Sequence, residues 1–227
     1  MNRGISRKTI SILSALAVVL SIVATAQATP LSTLLAPGQS IVVGSLTFDD
    51  FTYLGTGDMP TAANINVAPY TTGDAGLTFQ GAFLDFAGGS GSNGTIGYRV
   101  TSAAGTVISD AALFGNPNVV IGPGTITVAQ SFTPNVGALS IFSNSSPGPV
   151  QLTDSTALSS SVTSVTVQDL LQASATNGAA TLSFFTPTFH VTRVPEPASA
   201  LLLALGVLGV GVGRVVRRNV KSQETCK

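Results

Sequence analysis

The chain has 227 residues but no tryptophan, one cysteine (Cys226), one histidine (His190) and two methionines. Charge is also scarce. Residues 29–193 hold two arginines, Arg99 and Arg193, with no lysine and no glutamate. Each gap excludes something. With its one cysteine near the C-terminus, the central stretch cannot be stapled by disulfides even in an oxidising compartment. Its stability must come from apolar burial and backbone hydrogen bonding. Met59 is the one thioether there and no thiolate is present, which removes sulfur-ligated metal sites. Two arginines stand against eight aspartates, a net of −6, so the stretch offers no basic footprint to a nucleic acid.

Catalytic machinery is just as thin. His190 is the sole imidazole and no G-x-S-x-G motif accompanies it, so a serine hydrolase is not supported. Alternation against Phe189 and Val191 puts His190 on a polar strand face, as a plain surface histidine. A glycosidase would need its two carboxylates from aspartates. Asp49 and Asp50 face opposite sides of an extended Phe48–Phe51, and Asp85 faces away from Leu84 and Phe86, so spacing pairs none of them. Without tryptophan, stacking on sugar rings would fall to Tyr53 and Tyr70, which flank a long loop; Tyr98 shares a face with Ile96 and Val100 and reads as core. No cofactor is implied. Structural calcium has weak candidates in Asp49, Asp50 and Asp58 with loop carbonyls, but no D-x-D-x-D-G loop is present.

The two ends carry what the centre lacks. Arg3, Arg7 and Lys8 precede an apolar run from Ile10 to Val23, and Ala26-Gln27-Ala28 supplies the small-x-small pattern of a signal peptidase site. Residues 1–28 are therefore expected to be a signal peptide, too short in its apolar run to span a bilayer. Arg3 and Arg7 are not adjacent, which favours the Sec machinery over the twin-arginine route. At the other end Val194-Pro195-Glu196-Pro197 stands before sixteen uncharged residues, 198–213, followed by Arg214, Arg217 and Arg218. Sixteen residues make about 24 Å of helix, a marginal span whose basic end would stay in the cytoplasm. Pro195 and Pro197 force extended backbone around Glu196 and keep it out of that helix.

That order of short polar motif, apolar run with Leu201-Leu202-Leu203, Gly206 and Gly209, and arginine cluster resembles the PEP-CTERM sorting signal of Gram-negative bacteria. The resemblance implies cleavage near Pro-Glu-Pro by an exosortase at the inner membrane. It also implies association of the product with exopolysaccharide and biofilm matrix. A permanent single-pass anchor is the alternative reading of the same segment.

Between the ends, Thr, Ser, Gly, Val and Phe dominate, a mixture suited to strands and small-residue turns. Apolar residues alternate at Ile96/Tyr98/Val100, Ile126/Val128 and Phe189/Val191. Further strands are expected at Ser40–Val43, Leu46–Leu54, Leu77–Phe86, Ala138–Ser143, Val150–Thr156, Val162–Gln168 and Thr181–Phe185. The inward parity in Leu77–Phe86 switches from odd to even at Gly81, which predicts a β-bulge with Leu84 and Phe86 turned inward. Short helices are expected at Asp169–Ala175, capped by its aspartate, and near Ala111. Gly88–Gly94 reads as a hairpin connection and Thr56–Thr72 as a long loop.

The expected fold is all-β: an antiparallel β-sandwich, jelly-roll or Ig-like, over residues 29–193. The signal peptide (1–28) precedes it and a transmembrane sorting helix lies within 194–220. The expected function is that of an exported, non-enzymatic protein of the cell surface or extracellular matrix. A carbohydrate-binding module acting through Tyr53 and Tyr70 is the alternative.

Overall fold

The computed structural model describes residues 27–134 and 137–194. The start of the expected signal peptide, Pro195, Glu196 and Pro197, the apolar run and Arg214, Arg217 and Arg218 lie outside the described residues. Among the described residues no helix is long and apolar enough to cross a membrane.

Fourteen strands account for most of the described chain. The first seven are β1 (Thr29–Pro30), β2 (Ser40–Val43), β3 (Leu46–Thr56), β4 (Asn66–Tyr70), β5 (Ala75–Phe86), β6 (Ser92–Ser102) and β7 (Thr106–Gly115). The rest are β8 (Asn118–Val119), β9 (Gly122–Thr133), β10 (Ala138–Ser146), β11 (Val150–Gln151), β12 (Thr153–Val162), β13 (Ser164–Ala175) and β14 (Ala179–Arg193). One sheet runs β1-β4-β5-β14-β7-β12, with β8 also on β14; the other runs β11-β10-β9-β13-β6-β3-β2. The described pairings are antiparallel and the central ones are nested: β5 with β14, β6 with β13, β7 with β12 and β9 with β10. The inner half of the chain is thus one long hairpin, folded so that successive rungs fall on opposite sheets.

Period-two patterning explains the packing. In β13 Val165, Val167, Asp169, Leu171, Ala173 and Ala175 are buried while the residues between them face solvent. Both inner faces are aromatic and meet in one core. Phe79 of the first sheet lies 5.7 Å from Tyr98 of the second, and Phe189 lies 6.1 Å from Phe48 and 6.4 Å from Phe132. Such pairs add about 0.5–1.5 kcal/mol each beyond the area they bury.

Several local expectations are overturned. Asp169–Ala175 is the end of a central strand, and the stretch around Ala111 is the middle of β7. Gly88–Gly94 joins no hairpin, because β5 and β6 belong to different sheets and the segment crosses between them. The stretch expected as a loop at Thr56–Thr72 contains a 3-10 turn at Ala62–Asn64 and strand β4. Leu152 divides the strand expected at Val150–Thr156 in two.

The bulge in β5 is present. Phe83 pairs with Leu182 and Gln80 with Phe184, leaving an extra residue on β5 around Gly81. Its consequence is the reverse of the expected one. Phe83 and Asp85 turn inward, Asp85 to 2% exposure, and Phe86 is left 57% exposed. Partners on the opposite sheet make this tolerable. Asp85 accepts hydrogen bonds from Ser92 Oγ at 2.7 Å and from the Ala175 N–H at 2.9 Å, so one carboxylate on the first sheet ties down two strands of the second.

Candidate functional site: the exit of the last strand

β14 pairs with β5 as far as Phe189, opposite Ala75, and with β7 as far as Arg193, opposite Thr106. Val191, Thr192 and Arg193 therefore have the β7 ladder on one side only. The Val194 N–H makes the next bond, to Gly105 O at 2.9 Å. Pro195 follows in the sequence and has no N–H to give. Val194 is the one residue of that motif within the described chain, and it is 48% exposed.

Four residues upstream, His190 faces solvent beside this exit, as its strand position predicts. Its Nδ1 lies 2.8 Å from Asp74 Oδ1, in the turn between β4 and β5. The third member comes from a bulge in β7. His190 pairs with Asp110 but Val191 pairs with Ile108, leaving Ser109 as the extra residue. Ile108 and Ala111 are both buried, and Ser109 and Asp110 between them are only partly so. Ser109 Oγ donates to Asp110 Oδ2. On the other flank β12 pairs Ala157 with Asp110 and then Val162 with Ile108, so residues 158–161 leave the ladder.

The result is a cleft of about 280 Å³ whose lining includes Asp74, Asp110, His190, Ser155, Thr156 and Ala157. The hydrogen bond to Asp74 raises the pKa of His190; desolvation opposes it, and the negative charges of Asp74 and Asp110 add smaller upward contributions. Sequence spacing could not bring residues 74, 110 and 190 together. The one local sign is Ile108-Ser109-Asp110-Ala111, where two polar residues in a row interrupt an alternating strand.

The other singled-out residues are dispersed. Asp50 adopts a left-handed backbone (φ 54°) where β3 slips register against β6, so Asp49 and Asp50 do not point to opposite sides. Both converge on Arg99, at 2.9 Å each. Asp58 lies elsewhere, accepting from the Phe86 N–H at 3.1 Å. Among the described residues no group of three or more His, Cys, Asp or Glu is placed to hold a metal ion. Tyr53 stands on the second sheet, half-buried, with its hydroxyl bonded to Pro60 O. Tyr70 stands on the first sheet, edge-on to Phe114 at 5.2 Å. Ala28 lies one residue before β1, and Ala26 lies outside the described residues.

A buried polar trio escaped the sequence reading. Gln130 Nε2 donates to Asp169 Oδ1 at 2.8 Å and reaches Tyr98 OH at 3.3 Å, all inside the sandwich. Asp169 Oδ2 and Gln130 Oε1 have no partner. Burial pushes the Asp169 carboxyl up to about 7, against hydrogen bonds from Gln130 and Tyr98 that lower it. The same burial, with Asp169 alongside, raises the Tyr98 phenol well above its ordinary value.

Residues 193–218 match the model of the PEP-CTERM protein-sorting motif. No curated protein matches the chain. Among solved structures, the chain is similar to TmCBM61 in complex with beta-1,4-galactotriose, with 12% identity and a TM-score of 0.30, over 63% of this chain and 88% of that one. It is also similar to the xylan-binding module CBM15, with 18% identity and a TM-score of 0.27, over 60% of this chain and 90% of that one.

Proposed function

We propose that this chain, a PEP-CTERM protein by the sorting motif at residues 193–218, is an exported, non-enzymatic protein of the cell surface or extracellular matrix. The Sec machinery exports it and signal peptidase cuts after Ala28. The apolar run holds it at the inner membrane, with Arg214, Arg217 and Arg218 on the cytoplasmic side. An exosortase recognises Pro195, Glu196 and Pro197 and releases the body, which joins exopolysaccharide or another matrix component. The body, with no glutamate and one histidine, has little acid–base equipment for catalysis.

One observation carries this reading. The described strands begin at Thr29 and end at Arg193, and the last described backbone bond of the ladder is made by Val194. A cut within the motif would therefore leave every described strand intact. The nested order of β5–β7, β9, β10 and β12–β14 supports the jelly-roll form of the sandwich over the Ig-like one.

The test is Glu196→Gln in cells that hold an exosortase. The expected outcome is a larger, membrane-bound species in place of the released one, read by electrophoresis of membrane and medium fractions. Unchanged size and release would overturn exosortase recognition. A wild-type chain recovered from membranes with its tail intact would make it a permanent anchor instead.

A further inference from the structure

The sorting reading makes no use of the cleft beside the exit of β14. We propose that it is a binding site for an amino sugar, whose protonated primary amine seats between the carboxylates of Asp74 and Asp110. The inference goes beyond the sorting reading and does not rest on it.

Construction comes first. The cleft draws on four places far apart in the chain: the β4–β5 turn, β7, β12 and β14. An unbroken alternation across Ile108 to Ala111 would not leave Ser109 and Asp110 both outside with Ile108 and Ala111 both inside. The bulge does this, bringing a carboxylate beside the molecule's one imidazole, and bulges characteristically re-aim side chains in this way. Residues 158–161 leave the ladder at the same level and open the wall on the β12 side.

Charge then selects the occupant. Two carboxylates and one imidazole line the cleft, with no arginine or lysine. A body carrying a net −6 adds a repulsive background for uronates, phosphates and sulfates. A monocation fits. An ammonium offers three donors and no acceptor. Among the described residues Asp74 Oδ2, Asp110 Oδ1 and His190 Nε2 make no hydrogen bond, since Asp74 Oδ1 is occupied by His190 and Asp110 Oδ2 by Ser109. Charge-assisted bonds to the two carboxylates are roughly twice as strong as neutral ones.

Size and rim favour a sugar over a lysine side chain. A volume of about 280 Å³ lies at the small end of ligand clefts and admits roughly one ring. Ala157 contributes a small apolar surface for the C–H face of a pyranose. Ser155, Thr156 and the imidazole supply partners for ring hydroxyls, which a lysine side chain lacks.

The experiment is calorimetric titration of the full chain, in detergent micelles, with a fully deacetylated glucosamine oligomer, its N-acetylated counterpart and a lysyl tripeptide. The expected result is saturable binding of the deacetylated oligomer, at least roughly tenfold tighter than of the other two. Asp110→Asn should abolish that binding with an unchanged circular dichroism spectrum. Should that variant not fold, Asp74→Asn, on an exposed turn, carries the same expectation. Equal affinity for the acetylated oligomer, equal affinity for the lysyl peptide, absence of saturation, or full binding by the folded variants would each overturn the proposal.

Discussion

Asp169 occupies an interior position of β13 with 0% exposure, bonded through one oxygen to Gln130 Nε2 while its other oxygen lacks a partner. Its carboxyl is raised from 3.8 to about 7, so between those values the folded chain holds a proton that the unfolded chain has lost. Its stabilising effect is complete below pH 3.8 and is lost as pH rises through about 7. Asp169→Asn removes the ionisation and keeps an oxygen to accept from Gln130 Nε2. It should raise stability at pH 8 by roughly 2–4 kcal/mol and change it little at pH 4.5, measured by urea midpoints at both values. His190 has the same sign. Its raised pKa adds stability that is present below 6.5 and lost as pH rises through the folded value. Asp74→Asn should flatten that part of the profile alone. Neither group was legible in the sequence. His190 was rightly placed on the outside, but Asp74 comes to it from a turn 116 positions away. Asp85 was assigned to the wrong face because Ser92 and the Ala175 N–H, which make its burial tolerable, belong to strands of the opposite sheet.

At the level of the element, alternation identified most of the strands, since each needs only its own residues to separate two faces. It failed where local preference and ladder disagree. Asp169 to Ala175 reads Asp-Leu-Leu-Gln-Ala-Ser-Ala, with an N-cap residue and good helix formers, and Ala111-Ala112-Leu113 is similar. Both are strands because β13 is clasped by β6 and β9, and β7 by β14 and β12. Two partners outbid a weak local propensity. Close approach of neighbours gives a sharper test. A Cβ on Gly76 would stand 2.1 Å from Pro187 O and 2.9 Å from Thr188 Cα, atoms of the adjoining strand that cannot swing away. Gly76→Ala should destabilise by about 3 kcal/mol or more. Gly89→Ala, whose Cβ would meet nothing nearer than 3.6 Å, should change stability by less than about 0.5 kcal/mol in the same denaturation assay.

Across the whole molecule, two sheets share one aromatic interior, and neither has a second core to fall back on. Phe79 stacks on Phe185 of its own sheet at 5.0 Å and touches Tyr98 of the other at 5.7 Å. Phe79→Ala should cost about 3–5 kcal/mol. Backbone dichroism and tyrosine fluorescence should then report one coincident, earlier transition, as expected of a single cooperative unit. With no cysteine between residues 29 and 193, reductant should leave that transition unmoved. The sandwich class was readable from composition and turn spacing. The nesting was not, because β5 and β14 meet across almost a hundred residues with nothing local to announce it.

The tail leaves the body from β14, the longest strand, which lies against β5, β8 and β7. A pull on Arg193 along that strand's axis loads its rungs in shear, so they resist sliding together instead of breaking one after another. A tug at the opposite end would meet β1, two residues on an outer edge, and would unzip it. The described body is thus mechanically polar, harder to unravel from its C-terminal end than from its N-terminal one.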